Sequence, residues 1–165
     1  MNLKDKVIVI TGGAQGLGLE MARMCADNGA ALALIDMNAE QLTAAATELR
    51  ATGVRVETYA ANVADETSVE QTFAAIAADF GGIDGLINNA GIQHVARLED
   101  FPPEKWQQLI NVMLTGPAML SRAMLPGMRS RNFGRIVNIG SIHALVASPF
   151  KSAYVAAKHG LLGFS

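Results

Sequence analysis

Residues 6–18 read "KVIVITGGAQGLG", an apolar β-branched run that ends in a cluster of glycines. The run has the composition of a buried strand. The glycines that follow leave no room for a hairpin partner, and "LGLEMARMCADNG" (17–29) then carries helical periodicity up to a closing Gly29. A strand that passes through a glycine turn into a helix starts a crossover unit, which restricts the chain to folds built on parallel strands.

The rest of the sequence repeats the pattern. Strands are expected at "AALALID" (30–36), "RVETYAA" (55–61), within "GLINNAG" (85–91) and at "RIVNIGS" (135–141). Helices are expected at 39–53, at about 66–80, from Pro103 to about Arg129, and from Ser152 onward. Gly116-Pro117 falls inside the long helix and is expected to kink or divide it. Five apolar strands alternating with helices predict an α/β fold, a doubly wound parallel sheet of Rossmann type covered on both faces. No repeat, linker or low-complexity stretch interrupts residues 1–165, so one domain is expected.

Bulk properties narrow the function classes. Half of the 165 residues are hydrophobic and 17% are charged, with a net charge of −2. No Lys/Arg run marks a nucleic-acid surface, and no apolar stretch is long enough for a membrane span. The N-terminus enters a strand almost at once, without the pattern of a signal peptide. A single cysteine, Cys25, rules out an internal disulfide and fits a reducing compartment. A cytoplasmic protein acting on a small molecule is the resulting expectation. No Cys/His spacing suggests a metal site.

The turn "TGGAQGLG" spaces Gly12, Gly16 and Gly18 between strand and helix. A phosphate can approach backbone there where a Cβ would block it, and a helix N-terminus offers free N–H groups and a positive dipole end. Gln15 and Leu17, between these glycines, join the candidate cofactor-contacting set. Asp36 ends the second strand, twenty residues after Gly16. A carboxylate at that point can accept both hydroxyls of an adenosine ribose and repels a 2′-phosphate, which predicts NAD rather than NADP.

Tyr154 and Lys158 are four apart on the last expected helix and so share a face. A free phenol titrates near pH 10, about three units too high for a base at neutral pH. A neighbouring ammonium stabilises the phenolate, and a phenol so tuned can exchange a proton with an alcohol or carbonyl. Ser141 falls at the end of the fifth strand, where functional groups gather in open α/β sheets.

"TGGAQGLG", "NNAG" (88–91), Ser141 and "YVAAK" (154–158) together resemble the short-chain dehydrogenase/reductase family, in order and spacing, over nearly the whole chain. The resemblance implies Tyr154 as general acid/base, Lys158 as its tuner and the ligand of the nicotinamide ribose, and Ser141 as the group that positions the substrate oxygen. It implies that Asn62, Val63, Asn89 and Ala90 line the adenine and ribose. "NNAGIQH", "EDFPPEKW", "FGRIVNI" and "ASPFKSAYVAAKHG" narrow the resemblance to the D-3-hydroxybutyrate dehydrogenases of that family. There Gln93, His143 and Lys151 would hold the substrate carboxylate. The first 92 residues are more similar to the acyl-carrier-protein reductase branch. The expected function is NAD-dependent interconversion of a small 3-hydroxy acid and its 3-keto acid. The alternatives are a 3-oxoacyl thioester reductase and a nucleotide-binding remnant without turnover.

Two departures stand out. The long helix carries Met113 where the family has an asparagine that anchors a proton-relay water, and Asn111 lies about 200° around an ideal helix from it. The chain also reaches Ser165 without a capping pattern. Family members continue with further strands, a Pro-Gly turn and a substrate lid. The 165 residues therefore read as C-terminally truncated, with a homotetramer expected for the whole protein. "RIVNIG" is expected to be buried on both faces.

Overall fold

The computed structural model describes residues 2–165. Five parallel strands form one sheet: β1 (Val7–Thr11), β2 (Ala31–Asp36), β3 (Val56–Ala60), β4 (Gly85–Asn88) and β5 (Arg135–Asn138), in the spatial order β3-β2-β1-β4-β5. The central strand is in register with both neighbours, Val9 standing between Ala33 of β2 and Leu86 of β4. The chain winds outward from β1 to β3, then crosses back to place β4 on the other side of β1. That reversal opens a crevice beyond the carboxyl ends of β1 and β4.

Alternating side chains supply two cores. Ile8 and Ile10 of β1 and Leu32 and Leu34 of β2 pack with Cys25 of α1 (Gly16–Asp27) and with Leu42 and Leu49 of α2 (Ala39–Arg50). Val9, Ala33, Ile35 and Leu86 face the other way. They pack against Phe73 and Ile76 of α3 (Glu66–Phe80), Leu109 of α4 (Pro103–Ile110), and Leu120 and Met124 of α5 (Gly116–Ser130). Ala153 and Ala157 of α6 (Ser152–Phe164) complete that layer. Polar side chains start two of the helices: Asn38 accepts the N–H of Gln41, and Asp65 accepts the N–H of Ser68.

The stretch 103–129 is divided where Gly116-Pro117 predicts it. The division takes the form of a π-helical turn over Asn111–Thr115, and Pro117 falls in the first turn of α5. Gly116 passes so close to the loop after β3 that a Cβ there would lie 2.8 Å from the carbonyl oxygen of Val63. The expectation for β5 is corrected. It is an edge strand covered on one face only: Ile136 packs on the core, whereas Arg135 and Val137 are exposed. Among the described residues no strand pairs with its outer edge. No helix of the described residues is long and apolar enough to cross a membrane.

Candidate active site

The three glycines of the first turn are required for different reasons. Gly12 (φ +64°) and Gly16 (φ +54°) adopt left-handed backbone that disfavours any Cβ. Gly18 has ordinary dihedrals, but a Cβ there would lie 2.0 Å from the carbonyl oxygen of Gly12. The turn therefore folds directly onto the first turn of α1. Around Gly16 an added Cβ would meet no atom within 4 Å, so open space adjoins the helix N-terminus. The first N–H groups of α1 have no acceptor within the helix and face that end.

Thr11 and Asn89 join this turn to the loop after β4. The Thr11 hydroxyl oxygen accepts the N–H groups of Asn89 and Ala90, each at 3.0 Å. The Asn89 amide donates to the carbonyls of Thr11 (3.0 Å) and Gly12 (3.2 Å). Asp36 closes the other side. Its Oδ2 accepts the N–H of Ala14 at 3.3 Å and its Oδ1 that of Asn38 at 3.1 Å. These bonds hold the carboxylate at the end of β2 and leave further lone pairs for a hydroxyl ligand.

A cleft of about 620 Å³ runs along the strand ends. Gly12, Gln15, Leu17 and Asp36 line one end; Asn62, Val63, Asn89 and Ala90 line its middle; Gln93, Tyr154 and Lys158 line the other. Gly16 and Gly18 do not line it. Sequence reasoning missed Met37, Ile139 and Gly140, which also line it. Met37 and Ile139 follow directly on the end of a strand and Gly140 is one residue further on, so the strand-end rule applied to every strand would have found them. Met113 is buried in the π-helical turn and contributes to the wall, whereas Asn111 turns outward and accepts from Gln107 at 2.8 Å.

Lys158 is only 5% exposed, and its ammonium donates to the carbonyl of Ile139 at 2.5 Å. Burial pushes its amine below the ordinary lysine range. The Nζ lies 5.9 Å from the centroid of the Tyr154 ring, on the same face of α6. His143 meets that ring edge-on at 6.0 Å. Ser141 caps the short 3₁₀ turn Ile142–Ala144, its oxygen accepting the N–H of His143 at 3.2 Å, which leaves its O–H free to donate. Lys151 stands at the N-cap of α6. Ser141, His143 and Lys151 border the Tyr154 end of the cleft in sequence but do not line it.

A dinucleotide fits these residues: an open space at a free helix N-terminus, a carboxylate at the end of β2 and a buried ammonium at the far end. The model of the short chain dehydrogenase family matches residues 6–165. The chain belongs to that family. As a short chain dehydrogenase it is 42% identical, over 163 residues, to the D-beta-hydroxybutyrate dehydrogenase of Cupriavidus necator, covering 99% of this chain and 63% of that protein. It is 43% identical to the enzyme of the same name from Rhizobium meliloti, covering 97% of this chain and 63% of that protein. The solved structure of an NAD+-bound xylitol dehydrogenase superposes with a TM-score of 0.95 at 33% identity, over 99% of this chain and 64% of the other. The chain thus spans just under two thirds of the length of these relatives.

Proposed function

We propose that the protein is an NAD-dependent dehydrogenase that interconverts D-3-hydroxybutyrate, or a closely similar small 3-hydroxy acid, and its 3-keto acid. The observation that carries the reading is the pairing of Tyr154 with the buried ammonium of Lys158, at one end of a cleft whose other end holds Asp36 and the glycine turn. The relatives named for this reaction support the choice of substrate.

In this reading the N–H groups at the start of α1 bind the pyrophosphate and the Asp36 carboxylate binds the adenosine ribose hydroxyls. Bound NAD supplies the hydride acceptor. Ser141 donates its free O–H to the substrate oxygen and holds it against Tyr154. The phenolic oxygen of Tyr154 takes the hydroxyl proton in oxidation and returns it in reduction. Lys158, fixed by one hydrogen bond to Ile139, keeps its remaining N–H donors for the cofactor ribose and its charge beside the phenol. Met113 lacks a side-chain hydrogen-bond donor, so proton exchange with solvent runs without an asparagine-held water at that position.

Gln93, His143 and Lys151 bind the carboxylate, the lysine as its counter-charge. Lys151→Ala is expected to raise KM for 3-hydroxybutyrate about tenfold to a hundredfold, the range of a charge-assisted hydrogen bond, with NAD affinity unchanged. Steady-state kinetics check this, and an unchanged KM would refute the carboxylate clamp. A thioester offers no carboxylate to Lys151, so faster reduction of a 3-oxoacyl thioester than of the keto acid would favour the reductase alternative.

Asp36 governs the choice of cofactor. Asp36→Ser is expected to shift the ratio of kcat/KM for NAD over NADP toward NADP by about tenfold or more, because it removes a ribose acceptor and the charge that repels the 2′-phosphate. An unchanged ratio would mean that another group sets the preference.

A further inference from the structure

A chain of side-chain hydrogen bonds lies beneath the Lys158 end of the cleft, outside the residues assigned so far. Asn88, only 3% exposed, and Asn138 stand opposite each other in register on β4 and β5. The Asn88 amide donates to Asn138 Oδ1 at 2.8 Å, and the Asn138 amide donates to the Ser165 hydroxyl at 2.9 Å. Ser165 in turn donates to the carbonyl of Leu161 at 2.7 Å. Every donor points the same way, so each bond polarises the next.

This chain fixes what Lys158 rests on. Asn138 immediately precedes Ile139, whose carbonyl receives the Lys158 ammonium. The N–H of Ile139 is itself held by the carbonyl of Asn88 at 2.9 Å. Lys158 and Leu161 of α6 and its C-cap Ser165 form one stripe at helical spacing. The helix is thus attached to the exit of β5 at two points: Lys158 on Ile139, and Ser165 on Asn138 two turns later. The Asn88 side-chain oxygen Oδ1 is buried without a protein partner.

We propose that Asn138 is a positioning residue for Lys158, tying the end of β5 to β4 and to α6 so that the Ile139 carbonyl holds the ammonium at a fixed distance from Tyr154. The proposal rests on the reading of Lys158 and Tyr154 given above. Other titratable groups do not substitute for this anchor. The elements packed against α6 bring His143 on the 3₁₀ turn and Glu104 and Lys105 on α4, and the π-helical turn brings none. Among the described residues Lys158 pairs with no carboxylate.

The test is competitive amine labelling across a pH series, with the Lys158 peptide followed by mass spectrometry, on wild type, Asn138→Ala and Ser165→Ala. This reads the lysine directly and needs no turnover. Ser165 lies at the exposed end of the network, so its variant keeps the fold even if Asn138→Ala does not. The proposal predicts that the labelling midpoint of Lys158 rises by about one pH unit in Asn138→Ala, as the amine leaves its buried seat, and rises less in Ser165→Ala. In turnover, kcat of Asn138→Ala should fall about tenfold to a hundredfold, with KM for NAD rising as well because the same ammonium serves the cofactor ribose. The pH at which kcat falls off should also move upward. An unchanged Lys158 midpoint in the folded variants would overturn the proposal. A shifted midpoint in a protein that binds NAD but oxidises no hydroxy acid would uphold the anchoring of Lys158 and overturn the functional reading instead.

Discussion

Tyr154→Phe is expected to lower kcat for 3-hydroxybutyrate oxidation by about a thousandfold, within the range set by losing a general acid/base. NAD affinity should stay within about threefold of wild type, because removing one hydroxyl from a site this extensive takes away at most one modest hydrogen bond. The substitution is clean. Phenylalanine keeps the ring, its edge contact with His143 and its place above Lys158, and removes only the oxygen that exchanges the proton. Nothing else in the cleft replaces it. Ser141 is an alcohol whose oxygen accepts the N–H of His143, and the Lys158 ammonium has no lone pair with which to take a proton. Stopped-flow kinetics of NADH formation with parallel cofactor titration would check both halves. A variant that keeps a tenth of wild-type turnover would remove Tyr154 from the acid/base role.

The second large effect concerns the fold that carries the site. Gly18→Ala would place a methyl group 2.0 Å from the oxygen and 2.8 Å from the carbon of the Gly12 carbonyl, and 2.7 Å from the Asn89 amide. Two of these are backbone atoms that cannot rotate aside. The turn must separate from α1, at a cost at or above the roughly 1–3 kcal/mol typical of overpacking. For a chain of this size that amounts to about 2–12 °C in Tm, and NAD binding should weaken at least a hundredfold because the N–H cradle moves with the turn. Gly16→Ala is the control. No atom lies within 4 Å of its added Cβ, so only the strain of φ +54° remains, about 1–2 kcal/mol. Melting curves separate the two, and a Gly18→Ala protein that melts with wild type would contradict the close approach of turn and helix.

Much of this was legible in the sequence because local rules carry it. The β-branched runs gave five strands to within a residue or two at most ends. The glycine turn and Asp36 are tied to strand ends, and the Tyr154–Lys158 spacing is tied to a helical turn. Legibility failed wherever the determining partner was distant in sequence. "NVMLT" has ordinary helical composition, and its π-helical turn accompanies the packing of Gly116 against Val63. "RIVN" has the composition of a strand covered on both faces whether or not a layer packs on each, so the exposure of Arg135 and Val137 could not be inferred. Ser141, His143 and Lys151 sit on a connection whose path spacing does not define. The edge contact of His143 with Tyr154 became visible only in three dimensions, as did the alignment of Asn88 with Asn138.

One measurement tests the central claim most directly: NADH formation from D-3-hydroxybutyrate by the purified protein, recorded alongside equilibrium NAD binding on the same sample. The account predicts saturable NAD binding and sustained NADH production that requires the hydroxy acid. Saturable NAD binding with no NADH formed from this or any other small 3-hydroxy acid would contradict it, and would leave a nucleotide-binding protein in place of a dehydrogenase.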